Sequence, residues 1–185
     1  MSNGIPKDAI DHDVELLLAF VNTRDVETDT DDVAEPAQLA KWARDQAGLE
    51  IAPPPAAEHA EVLALRESLR ALMLANNGAE LDEDDLGPLR EAAERCRFGP
   101  VVTKEGRVRL EPGEGGVVAL EGKVLLALEM VQCLGAWPRL KACTAEDCQW
   151  AFYDTTRNRS RTWCSMDVCG NRTKTRRYRE RRASD

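Results

Sequence analysis

The sequence predicts a mainly α chain of the α+β class: a helical N-terminal domain with one small β-hairpin, followed by a compact C-terminal module of short strands and one helix. Three observations carry this expectation. Apolar residues recur at helical spacing over most of positions 11–134, strand-like alternation interrupts them only between Pro100 and Pro112, and Cys143, Cys148, Cys164 and Cys169 fall in two pairs near the C-terminus.

The elements follow in order. From Asp11 to about Arg24, Val14, Leu17, Leu18 and Val21 lie at i, i+3, i+4 and i+7, one face of a helix. Pro36 opens a second helix and Gly48 stops it, with Leu39, Trp42 and Ala43 inward. Pro53, Pro54 and Pro55 make a stiff connector to a third helix, Ala56 to Asn77, which turns Val62, Leu65, Leu69, Leu72 and Met73 to the core. Asp82 begins an acidic start that Gly87-Pro88 divides into a turn and a helix reaching Cys96. Val101-Val102-Thr103, Glu105-Gly106, then Val108 and Leu110 read as a hairpin. Val117, Leu120, Val124, Leu128, Val131 and Cys133 mark a last helix, broken by Gly135 and Trp137-Pro138.

The four cysteines are a zinc signature. Each Cys-x4-Cys loop offers two sulfurs at the roughly 2.3 Å that zinc–thiolate bonding requires, and four thiolates close the shell, which suits one structural ion and leaves no open position for a catalytic water. His12 and His59 lie far upstream and read as surface or capping histidines. Cys96 and Cys133 fall at apolar helix positions, so both are expected to be buried and inert. Within the module, Cys143 to Cys148 is a knuckle, Trp150, Phe152 and Tyr153 a strand, Asn158-Arg159-Ser160 a turn, and Thr162-Trp163-Cys164 the returning strand. Ser165 then caps a helix that carries Cys169 and runs to about Arg182. Knuckle, hairpin and ligand-bearing helix make a treble-clef-like finger; a two-knuckle zinc ribbon is the competing geometry.

Charge divides the chain at the same place. Residues 1–138 carry 13 Lys and Arg against 27 Asp and Glu, a balance of -14, whereas residues 139–185 carry 12 against 6, a balance of +6. An acidic body avoids polyanions and a basic tail attracts them, so nucleic acid is the expected partner of the tail. Four thiolates on one zinc ion leave an excess of two negative charges, and Arg157, Arg159, Arg161 or Arg172 can serve the sulfurs. Beyond them, Lys174, Arg176, Arg177, Arg179, Arg181 and Arg182 exceed what one ion can use, and these six together with Arg157, Arg159, Arg161 and Arg172 are the candidate nucleic-acid contacts. Trp150, Phe152, Tyr153 and Trp163 read as the module's core rather than as base-stacking platforms.

Other classes are disfavoured. The alternating Asp25, Glu27, Asp29, Asp31 and Asp32 lack the glycine and the terminal glutamate of a calcium loop and read as a solvated loop. No set of nucleophile, base and orienter marks an enzyme. No long apolar run indicates secretion or membrane insertion, so a cytoplasmic chain with reduced thiols is expected. Asn22, Thr23 and Arg24, at the end of the first helix, either cap it or line a pocket for a small-molecule effector.

Phe152-Tyr153-Asp154, Arg157, Arg161, Trp163-Cys164-Ser165-Met166, Cys169-Gly170-Asn171-Arg172, Lys174 and Tyr178 together resemble the CGNR zinc-finger family, which is named for that tetrapeptide. Upstream, Phe20-Val21-Asn22-Thr23 resembles the start of the ABATE domain usually joined to that finger. The resemblance implies domains at 1–138 and 139–185 and a bacterial regulator acting in stress-induced transcription, with the finger on nucleic acid. By position Cys143, Cys148, Cys164 and Cys169 match the family's zinc ligands, and Arg172 and Lys174 match its basic helix. Thr156 stands where a serine is common, and Asp167 sets a negative charge beside the helix start. The expectation is a zinc-dependent DNA-binding transcription regulator; an RNA-binding protein and an adaptor docking an acidic partner through the basic tail are the alternatives. The oligomeric state is left open.

Overall fold

A computed structural model describes residues 7–113 and 115–184, with side chains given from Asp11 onward except at Arg177, Tyr178, Glu180, Arg181, Ala183 and Ser184. Helix α1 (Lys7–Val21) leads into a tight hairpin, β1 (Arg24–Asp25) with β2 (Thr30–Asp31), and then α2 (Pro36–Ala47) and α3 (Ala56–Ala75). A 3-10 turn, Glu83–Leu86, precedes α4 (Gly87–Cys96). The hairpin β3 (Gly99–Val102) and β4 (Val108–Glu111) follows, and α5 (Gly116–Cys133) completes the body. The remainder is β5 (Leu140–Ala142), β6 (Ala151–Tyr153), a single π-helical turn Met166–Gly170, and α6 (Asn171–Ser184). None of the described helices is long and apolar enough to cross a membrane.

Local chemistry sets these boundaries. The Glu35 N–H donates to the Gln38 side chain at 2.9 Å, Pro36 follows as a preset first helical residue, and Gly48 takes φ +65° to end α2 with its N–H on Ala43. Helix α1 stops at Val21, the last residue of its apolar stripe and short of the expected end near Arg24, because Thr23 turns its hydroxyl back onto the Phe20 carbonyl (2.8 Å) and Arg24 enters β1. The acidic run is thus a hairpin, and Asp31 is not solvated: it sits 2.8 Å from the buried Arg66.

Helices α1, α3 and α5 bury Leu17, Phe20, Leu65, Leu69, Leu120 and Val124 in one core. Gly122 lets α5 pass close to Pro112, in the connection that follows β4, since a Cβ there would lie 2.2 Å from that ring. Glu121 is fully buried and meets Arg95 of α4 at 2.7 Å, which joins α4 to α5. Two expectations are corrected. His59 is buried, within 2.8 Å of the Val33 carbonyl, because the start of α3 packs under the β2–α2 connection. Cys96 is buried, but Cys133 is exposed at the last position of α5 and bonds Glu129 instead.

A third correction concerns the C-terminal module. Ala151–Tyr153 pairs antiparallel with Leu140–Ala142, upstream of the knuckle, and residues 162–164 form no strand. The pairing continues the apolar core of the body, which includes Leu140, Ala142 and Ala151. Burial therefore selects β5 as the partner, and the segment before Cys164 is shaped by side chains.

Candidate metal centre

The metal centre begins where β5 ends. The Cys143 N–H donates to Trp150 at 3.0 Å and the Cys148 N–H to Ala145 at 2.9 Å, while Gln149 at φ +52° turns the chain into β6. This knuckle delivers two sulfurs. Ser165 caps the π-helical turn through the Val168 N–H (3.3 Å), and Cys169 projects from that turn, almost fully buried. All four Sγ atoms lie within 4.8 Å of one another, with Cys148–Cys164 at 3.5 Å and Cys164–Cys169 at 3.6 Å. A tetrahedron with zinc–sulfur bonds of 2.3 Å has edges of about 3.8 Å, so the donor set fits one zinc ion closed on four sides.

The electrostatics point the same way. A hydrogen bond from Cys148, aided by the Ala145 and Cys164 amides, holds the Cys143 thiol down at about 5. Sharing with Cys143 pushes Cys148 far up, and burial pushes Cys164 up to about 12. Four adjacent sulfurs cannot all ionise against one another; a dication in their midst supplies the missing charge.

Each letter of Cys169-Gly170-Asn171-Arg172 has a task. Cys169 is a ligand. Gly170 lets the turn close, because a Cβ would lie 2.5 Å from the Met166 sulfur and 3.3 Å from the Trp163 ring. Asn171 ties α6 back to the Asp167 carbonyl at 3.1 Å. Arg172 reaches Cys169 Sγ (3.7 Å), Asp147 of the knuckle (3.2 Å) and Glu27 of the β1–β2 turn (2.6 Å).

Residues 139–182 match the family model described as "CGNR zinc finger", and residues 15–137 match ABATE, described as "Putative stress-induced transcription regulator". The chain belongs to the ABATE family. No curated protein matches it at a significant level.

The ABATE domain and the CGNR finger meet through side chains that sequence reasoning placed differently or missed. Asn22 acts as a surrogate strand for β6: its Nδ2 donates to the Ala151 carbonyl (2.9 Å) and its Oδ1 accepts the Ala151 N–H (2.8 Å). Thr23 is buried and accepts Arg66 at 3.0 Å, and Arg24 pairs with Asp29 at 2.7 Å. The hydrogen bonds of these three residues are thus made within the fold. Arg70, buried on α3, donates to Val21 (2.7 Å), to Arg24 (3.2 Å) and to Gln149 of the knuckle (3.0 Å). Asn76 donates to Trp137 and Leu140, and Asn77 to Ala142 and Thr162, all at 2.8–2.9 Å. An Arg66/Arg70 pair at i, i+4 on the apolar side of α3 was the available signal, since a charge there must find partners.

In the finger, Asp154 is fully buried and organises the loop before Cys164. It accepts from the Thr156 N–H (2.9 Å) and hydroxyl (2.6 Å), the Arg161 N–H (2.9 Å) and Lys141 Nζ (3.0 Å). Burial opposes its charge, yet these bonds prevail and hold its carboxyl well below the usual range. Arg161 lies 4.6 Å over the Phe152 ring and donates to the Trp163 and Cys164 carbonyls, so it shapes the approach to a ligand. Arg157 and Arg159 are exposed on the loop. Lys174, Arg176, Arg179 and Arg182 are exposed on α6, and Arg176 also lies 3.8 Å from Glu146. The side chains of Arg177 and Arg181 lie outside the described residues.

Proposed function

We propose that the chain is a cytoplasmic, non-enzymatic transcription regulator whose zinc finger holds α6 against DNA while the acidic ABATE domain modulates the contact. One observation carries this reading. After Thr173, which is buried against the finger, every described side chain of α6 is exposed: Lys174, Thr175, Arg176, Arg179 and Arg182. A rigid zinc-stapled base thus presents a basic rod to solvent, the form in which a helix can enter a duplex groove or follow its phosphates. The family description of the ABATE segment supports the regulatory half of the proposal.

The basic side chains project around α6 at about 100° per residue, so only part of the set touches one duplex at a time. With about four phosphates neutralised, log K falls against log salt with a slope of roughly -3.6. Titrating labelled duplex, structured RNA and single strands across a salt series tests this. Replacing Arg176 and Arg179 together should flatten the slope and weaken binding to many sequences alike. Binding indifferent to salt would sink the nucleic-acid reading, and preference for RNA would redirect it.

A further inference from the structure

Among the described residues of the body, the β3–β4 hairpin carries the most exposed large apolar side chains. Val102 and Val108 are each 68% exposed and Leu110 is 52% exposed. Register places Pro100 opposite Leu110 and Val102 opposite Val108, so these four share a face, while Val101 and Arg109 lie on the other. Among the described residues β4 pairs with β3 alone. A lone two-stranded ribbon is marginal in water and gains from further strands.

The two outer edges differ. The Thr103 N–H donates to Arg107 at 2.8 Å, and alternation from there makes Pro100–Leu110 and Val102–Val108 pairs that exchange no hydrogen bonds. Their backbone groups therefore point outward. At the β3 edge Pro100 has no N–H to offer, a common device for blocking strand addition. At the β4 edge the N–H and C=O groups of Val108 and Leu110 are aimed outward, and Pro112, the next position of that alternation, can accept there but not donate, so the full exchange of hydrogen bonds is open at Leu110.

We propose that a second copy of this chain adds its β4 to this edge, antiparallel about Leu110, giving a four-stranded sheet across a two-fold axis. Charge selects both the partner and the register. The body at -14 repels its own copy, but residues 99–111 are nearly balanced, with Lys104, Arg107 and Arg109 against Glu105 and Glu111. A two-fold through Val108 sets Arg107 against Arg109, and one through Arg109 sets that arginine against itself. A two-fold through Leu110 places Arg109 opposite Glu111 of the second copy, twice, in the close pairs of the ladder, with Leu110 against Leu110 on the apolar face. In the single chain Arg109 and Glu111 already pair at 2.7 Å on the opposite, polar face, so the dimer exchanges partners rather than stripping charges bare.

Four residues of edge bury less than a standard interface, so the dimer should be weak, with a dissociation constant on the order of micromolar. Sedimentation equilibrium of the full zinc-loaded chain tests it. The wild type should pass from monomer to dimer with concentration. Leu110→Asp sets two carboxylates face to face and should leave a monomer; Arg109→Glu should weaken association at least about tenfold, an opposed like-charge pair at each site. Arg109→Glu with Glu111→Arg should restore it. Both charge variants change exposed side chains, and unaltered circular dichroism and zinc content verify their folding. A wild type that stays monomeric to about 1 mM, a dimer unmoved by Leu110→Asp and Arg109→Glu, or a double variant without rescue would each overturn the proposal.

Discussion

The body and the finger are stable for different reasons. In the body, apolar side chains from α1, α2, α3 and α5 meet in one continuous core. Among the described residues the finger's own cluster contains five buried ones, Cys143, Ala145, Cys148, Phe152 and Cys169, and three of them are ligands. So small a set cannot offset the ordering of some forty residues, for which backbone fixation alone costs roughly 1–2 kcal/mol each. Metal bonds and buried polar bonds replace the missing hydrocarbon in the finger.

The largest expected effect breaks the comparison at its strongest point. Cys143→Ser, Cys169→Ser or chelation removes a contribution that in finger peptides amounts to roughly 10 to 16 kcal/mol of zinc binding. Hydrogen exchange should show amides of 143–170 losing protection while α1, α3 and α5 keep theirs; retained order without zinc would refute the division. Next, Asp154→Asn leaves Lys141 buried without its counter-charge and should cost about 3 kcal/mol at neutral pH by denaturant unfolding. The sign with pH follows from a depressed carboxyl. The unfolded chain takes up a proton near pH 4 where the folded one does not, so this stability is complete above about pH 5 and fades as pH falls toward the folded value. The variant should show a flatter acid limb.

Smaller effects sharpen the boundary. Asn22→Ala deprives Ala151 of both partners and should cost about 2 kcal/mol, with β6 amides exchanging faster than those of α5. A cost below about 0.5 kcal/mol would mean that apolar burial alone seats the finger hairpin. Smallest of all, Glu27→Ala removes a half-exposed partner of Arg172 and should change stability by under about 1 kcal/mol. A loss several times greater would show the β1–β2 turn to be a structural support for the zinc site.

The sequence was most legible where one interaction dominates locally. Helical spacing gave α2, α3 and α5 to within a residue or two, and ligand spacing gave the four cysteines that the structure gathers together. The pairing of β5 with β6 was hidden because β5 is three residues long and carries Lys141 at its centre, a residue that reads as solvent-facing until Asp154 is found beside it. Asn22, Asn76 and Asn77 looked like helix ends, and they are; their longer reach depends on carbonyls 61 to 129 positions away, which no local pattern announces. Cys133 and His59 show the same limit in miniature, since periodicity gives a face but not what lies against it.

The β5–β6 hairpin belongs to two owners. The family segments part near residue 138, yet Leu140, Ala142 and Ala151 on the far side of that point pack with Phe20 and Leu69 on the near side. Modularity in sequence is therefore not modularity in material. A fragment ending at 138 would bare the apolar surface that these three residues cover, and a finger grafted onto a foreign body would arrive without Asn22, Arg70, Asn76 and Asn77 to receive it. Chimeras that cut after Tyr153 instead keep β5 and β6 with the body, at the cost of dividing the zinc site between Cys148 and Cys164 and of parting Lys141 from Asp154 and Asn77 from Thr162.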